Sequence, residues 1–76
     1  MMTTDDIKSI LAERFPEAVI SVEDLTGTMD HFEVRIASPQ FQGKGLIEQH
    51  QMVNQALTVP LHDGRIHALK IKTQKS

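Results

Sequence analysis

The sequence holds no cysteine in 76 residues, and that absence constrains the fold more than any residue present. A chain this short buries only about 60–65% of its unfolded surface, and area gains and ordering entropy nearly cancel at this size. No disulfide, Cys-based zinc knuckle, thiolate nucleophile or self-held iron–sulfur cluster is open to it. Nearly every periodic apolar residue must therefore enter one core, and little is left to enclose an active-site pocket. The 39% apolar and 24% charged fractions suit a single globular domain over residues 1–76. No apolar run approaches the roughly 18–20 residues needed to cross a bilayer. The opening Met1-Met2-Thr3-Thr4-Asp5-Asp6 is polar and acidic, unlike a signal or transit peptide, so the expected compartment is the cytoplasm, or one reached without a cleaved leader still present here.

Apolar spacing sets the element order. Ile7, Ile10, Leu11 and Phe15 share one face of a 3.6-residue repeat, which predicts a helix over 4–15. Thr3 or Thr4 caps it, Asp5 and Asp6 suit the positive end of its dipole, and Pro16 stops it. Ala18, Ile20 and Val22 alternate with Val19, Ser21 and Glu23, a strand over 18–25. After the turn residues Thr26-Gly27-Thr28-Met29-Asp30, a second strand over 31–37 turns Phe32, Val34 and Ile36 inward and His31, Glu33 and Arg35 outward. Two glycines and a proline mark 38–45 as a loop. A second helix over about 45–58 places Leu46, His50, Val53 and Leu57 on one face, with Ile47 and Ala56 beside them. Pro60 and the turn His62-Asp63-Gly64 end that region, a last strand runs over 65–73, and 74–76 is a tail.

The order is αββαβ, an α+β fold with a three-stranded mixed sheet and both helices packed on one face. Strand two, helix two and strand three form a crossover unit, whose strands should run parallel and pass right-handed. Parallel strands start at the same end of a sheet. His31 opens strand two and His67 lies near the start of strand three, so the topology brings two distant imidazoles to one edge. Adjacent strands are about 4.8 Å apart, close enough for a shared metal. Counted from Leu69 and Ile71, however, His67 has core-face parity, whereas His31 faces out. The rings converge only if alternation relaxes at the strand mouth or both side chains reach around the edge. His62 lies in a polar turn and reads as a surface residue. His50, among apolar neighbours, reads as a structural, hydrogen-bonded core histidine.

Charge is unevenly spread. Residues 1–33 hold eight acids and two bases, and residues 34–76 hold two acids and six bases. Arg65, Lys70, Lys72 and Lys75 gather at the last strand, where they could meet nucleic acid or an acidic partner, or simply guard a strand edge against aggregation. The chain is acidic in sum and lacks stacking aromatics beside its bases, which favours the guard or a protein partner. Nothing suggests catalysis: no nucleophile has a base and an orienter, and Gly43-Lys44-Gly45 is too short for a phosphate loop.

Three pieces in order, Phe41-x-Gly43, then His50-x-x-Val53-Asn54, then Ile66-His67-Ala68-Leu69-x-Ile71-Lys72-Thr73, resemble the BolA family over nearly the whole chain. The resemblance implies a fold similar to a class II KH domain. Family members typically add a further C-terminal helix, and this sequence stops at Ser76, so that helix is expected to be absent or vestigial. The resemblance also implies a non-enzymatic partner of monothiol glutaredoxins, whose heterodimer can bridge a 2Fe–2S cluster in iron–sulfur trafficking and redox regulation. In that arrangement glutaredoxin supplies a cysteine, glutathione a second thiolate, and the BolA-like chain two ligands. These would be His67 and, since Asp30-His31-Phe32 stands in the loop that carries Cys in one subgroup and His in another, His31. Imidazole can replace thiolate on iron, as in Rieske centres. Ligation needs neutral rings, so acid should weaken the site. The free chain is expected to be a monomer or weak homodimer. DNA binding as a KH-like transcriptional regulator is the other role attributed to the family, although the G-x-x-G loop with which a KH domain grips its strand is missing here.

Overall fold

Thr3 starts the first helix with a reciprocal pair: its hydroxyl accepts from the Asp6 amide at 3.0 Å, and the Asp6 carboxylate accepts from the Thr3 amide at 2.9 Å. Two of the four orphan donors of a helix start are thereby satisfied. In the computed structural model, which describes residues 2–75, this helix, α1, spans Thr4–Arg14, with Phe15 as its cap. Ile7 and Leu11 on its inner face are fully buried. Thr3→Ala should lower stability by about 1 kcal/mol, measured as a shift of the urea midpoint at unchanged slope.

Strand β1 (Val19–Asp24) pairs antiparallel with β2 (His31–Ser38), and β2 pairs parallel with β3 (Ala68–Lys75), giving the sheet order β1-β2-β3. Ile20, Phe32, Val34 and Ile36 turn to the helix side and join Ile7, Leu11, Phe15, Phe41, Val53, Leu57 and Ile66 in one core. The mixed sheet with helices on one face thus has the topology read from the sequence.

Several local expectations are corrected. Pro39–Phe41 forms a 3-10 turn inside the expected loop, and Phe41 is buried with its ring 5.5 Å from that of Phe15. Gly43 follows at φ 76°, a left-handed backbone that L side chains rarely adopt. The second helix, α2, spans Leu46–Ala56, and a separate short helix, α3, spans Thr58–His62. Pro60 explains the break. A single continuous helix would drive its ring into the carbonyl of Ala56, four residues earlier, whereas the first turn of a new helix tolerates proline.

The buried face of α2 is also rotated from expectation. Leu46 and Ile47 are 64% and 76% exposed, His50 is only half-buried, and Gln49, Val53 and Leu57 face inward. A glutamine is tolerated there because each end of its amide has a partner: Nε2 donates to the Lys44 carbonyl at 2.9 Å, and Oε1 accepts from the Thr73 hydroxyl.

Strand β3 begins at Ala68 rather than residue 65 and continues through Lys75, with Ser76 outside the described residues. The preceding residues are held in a turn: Asp63 accepts from the Arg65 amide at 3.0 Å and from its Nε at 2.9 Å, and the Ile66 amide donates to the Pro60 carbonyl at 3.1 Å. Glu33 faces the open side of the sheet as expected, yet it is only 5% exposed. Arg35 Nε lies 2.9 Å and Lys72 Nζ 3.6 Å from its carboxylate. Among the described residues no helix is long and apolar enough to cross a membrane.

Three of these carboxyls sit below their ordinary values. The Thr3 amide lowers Asp6, the Arg35 side chain followed by Lys72 lowers Glu33, and the Arg65 amide lowers Asp63. A carboxyl depressed in the folded state stabilises fully above its unfolded pKa, and that contribution disappears as pH falls through the folded value. Tm should therefore decline once pH enters the range of the ordinary values, 3.8 for Asp and 4.5 for Glu, and continue to fall below it. A Tm flat from neutrality to below that range would contradict these pairings.

Candidate histidine site at the strand mouth

The parallel ladder between β2 and β3 opens on the pair His31↔Ala68. Immediately before it, the Asp30 carbonyl accepts from both the His67 amide at 2.8 Å and the Ala68 amide at 3.2 Å. One peptide group thus pins the residue before β3 to the residue before β2. The two imidazoles that the topology was expected to gather lie with ring centroids 6.0 Å apart and planes at 88°. Because β3 starts one residue after His67, that side chain is free of strand alternation, and the parity that set it opposite His31 does not apply.

Asp30 also joins the rings through its side chain. Its Oδ1 is 2.8 Å from His31 Nδ1 and its Oδ2 is 3.3 Å from His67 Nδ1. The Thr28 hydroxyl donates to the same Oδ1. That bond, and then the one to His31, hold the Asp30 carboxyl below its usual 3.8. The side chains of His31 and His67 are 40% and 62% exposed, against 29% for Asp30. The rings therefore stand on an open rim above a partly covered carboxylate.

The loop beneath them is ordered by a second carboxylate. Asp24 Oδ1 accepts from the amides of Thr26 at 3.3 Å and Gly27 at 3.0 Å, and its Oδ2 from Met29 at 3.2 Å. Gly27 and Met29 both hold positive φ, 77° and 59°. For Met29 this conformation is strained, and the Asp24 bond to its amide helps to hold it. The Leu25 amide closes the loop on the His31 carbonyl at 2.8 Å.

Two imidazoles can supply two nitrogen donors to one ion. With metal–imidazole bonds of about 2.1 Å, rings on one tetrahedral ion have centroids roughly 5.3 Å apart. The observed 6.0 Å is wider, a difference that rotation of two exposed side chains closes. Among the described residues no group of three or more His, Cys, Asp or Glu is arranged to hold a metal ion, so the remaining ligands of such an ion would have to come from another molecule. His62 is exposed, and His50 lies half-buried on α2. Of the basic cluster, Arg65 pairs with Asp63 and Lys72 with Glu33, while Lys70 and Lys75 are exposed. Sequence reasoning missed Asp30. The signal was present as the Asp-His dipeptide at the strand mouth, but a loop aspartate ordinarily reads as a turn former.

The comparisons agree with this architecture. A protein of Rickettsia prowazekii described as uncharacterized protein RP812 is 38% identical over 72 residues, covering 95% of this chain and 92% of its own. Protein BOLA2 of Arabidopsis thaliana is 38% identical over 73 residues, covering 95% of this chain and 76% of its own. Among solved structures, the BolA domain of SufE1 from Arabidopsis thaliana superposes with a TM-score of 0.85 at 29% identity, covering 95% of this chain and 90% of that one. A family model described as BolA-like protein matches residues 7–76. With a matching sequence model, a matching fold and the motif residues Phe41, Gly43 and His67 at structurally meaningful positions, the chain belongs to the BolA-like family.

Proposed function

We propose that this protein is a non-enzymatic partner of a monothiol glutaredoxin and that the two form a heterodimer able to share a 2Fe–2S cluster during iron–sulfur trafficking and redox regulation. The reading rests on one observation: the His31 and His67 rings stand 6.0 Å apart, edge to face, on an exposed rim, with both Nδ1 atoms within 3.3 Å of one carboxylate. A chain without sulfur ligands offers a cluster only imidazole, so glutaredoxin cysteine and glutathione would complete the coordination. Iron accepts two imidazoles in place of two thiolates, at the cost of a higher potential. Within the pair, this chain orients His31 through the β2 ladder and His67 through the Asp30 carbonyl. The exposure of both rings lets a partner approach without opening the core.

The test is to mix this chain with a monothiol glutaredoxin carrying its cluster and glutathione, and to record visible absorption and circular dichroism. A new spectrum, saturating at one chain per glutaredoxin, is the expected result. An unchanged spectrum, with no complex on gel filtration, would refute the proposal.

A further inference from the structure

One oxygen of Asp30 hydrogen-bonds the His31 ring, and this has a chemical consequence. At neutral pH an aspartate carboxylate only accepts hydrogen bonds. A neutral imidazole held against it by Nδ1 must therefore place its single proton on that atom, which leaves the lone pair on Nε2. In water a neutral histidine prefers the opposite tautomer, with the proton on Nε2. Oδ1 lies 2.8 Å from His31 Nδ1, Oδ2 lies 3.3 Å from His67 Nδ1, and the Thr28 hydroxyl donates to Oδ1 from the loop side.

We infer that Asp30 is a positioning residue for His31, selecting its Nδ1–H tautomer so that its Nε2 lone pair stands open on the rim it shares with His67. Its significance for a shared cluster rests on the function proposed above, but the tautomer itself is a property of the free chain. Thr28 is the support: its hydroxyl fixes the carboxylate oxygen against which His31 leans. Metal-bound histidines commonly hand their other nitrogen to a carboxylate, which orients the ring and raises its basicity. Asp30 does so for His31, while His67 is placed by its main-chain amide on the Asp30 carbonyl.

The test is a long-range proton–nitrogen correlation spectrum of the isotope-labelled free chain, above the ordinary imidazole titration range. His62, exposed in its turn, supplies the water-like reference. His31 should show a protonated Nδ1 and a bare Nε2. Asp30→Ala should return it to the pattern of His62. Asp30→Asn should keep the proton on His31 Nδ1, because an amide oxygen can still accept at the position where the Thr28 hydroxyl also donates. The main-chain carbonyl that binds His67 and Ala68 survives in both variants, and far-UV circular dichroism checks that the fold does too. With cluster-loaded glutaredoxin, Asp30→Ala should weaken the shared complex by about 10–100-fold. The inference is overturned if His31 already matches His62 in the parent, or if Asp30→Ala leaves the His31 tautomer unchanged even while weakening the cluster. A parent chain that takes no cluster refutes the proposed function instead, and the tautomer result still decides the role of Asp30.

Discussion

His67→Ala is expected to abolish cluster sharing with a loaded monothiol glutaredoxin. The affinity loss should exceed the roughly 10–100-fold that removal of an outer-sphere partner typically costs. The side chain is 62% exposed and lies ahead of β3. Its removal creates no core cavity, and the amide bond from residue 67 to the Asp30 carbonyl is a main-chain interaction that alanine retains. Stability should stay within about 0.5 kcal/mol of the parent, as for surface positions generally. His31→Ala should produce the same spectroscopic loss, because each ring is half of the donor set. Titration by visible circular dichroism checks both. A His67→Ala chain that develops the parental spectrum at parental concentrations would remove this residue from the site, however close its ring stands to His31.

The second large effect concerns folding. Phe41→Ala should destabilise the chain by about 3–5 kcal/mol. The side chain is fully buried, and its ring meets Phe15 at 5.5 Å and 54°, an arrangement that ties the 3-10 turn to the end of α1. Gln40, next to it, donates to the Arg14 carbonyl at 3.1 Å and closes the same seam. A chain of this length commands about 4–11 kcal/mol in total, with no disulfide in reserve. The variant should therefore lose a large share of its stability and show a sharply lower urea midpoint. A loss below about 1 kcal/mol would mean that the core is less cooperative than a single cluster around Phe41 implies.

Much of this architecture was legible in the sequence. The alternation Phe32, Val34, Ile36 gave the central strand and its face, and the strand–helix–strand order gave the parallel pair that brings His31 and His67 to one end. What stayed hidden has identifiable causes. Period counting placed Leu46 and His50 on the inner face of α2, but burial went to Gln49, whose amide satisfies Lys44 and Thr73. Apolar periodicity cannot see a polar residue paid for by two hydrogen bonds. The break before α3 was readable only from the clash of Pro60 with the carbonyl of Ala56. Counting back from Ile71 ran β3 too far upstream, because Ile66 is as buried as a strand residue while its amide bonds Pro60. That over-extension forced His67 onto the wrong face and made the two rings look opposed. Glu33 had the right face, but its burial depends on Arg35 and Lys72 reaching over it.

The most direct measurement is the electron–nuclear hyperfine spectrum of the reduced cluster in the heterodimer, with isotope-labelled histidine in this chain only. Nitrogen couplings from two imidazoles are expected, with one lost in His31→Ala and one in His67→Ala if either variant retains residual cluster. A cluster that forms in full with coupling from one ring of this chain, or from none, would contradict the shared histidine half-site.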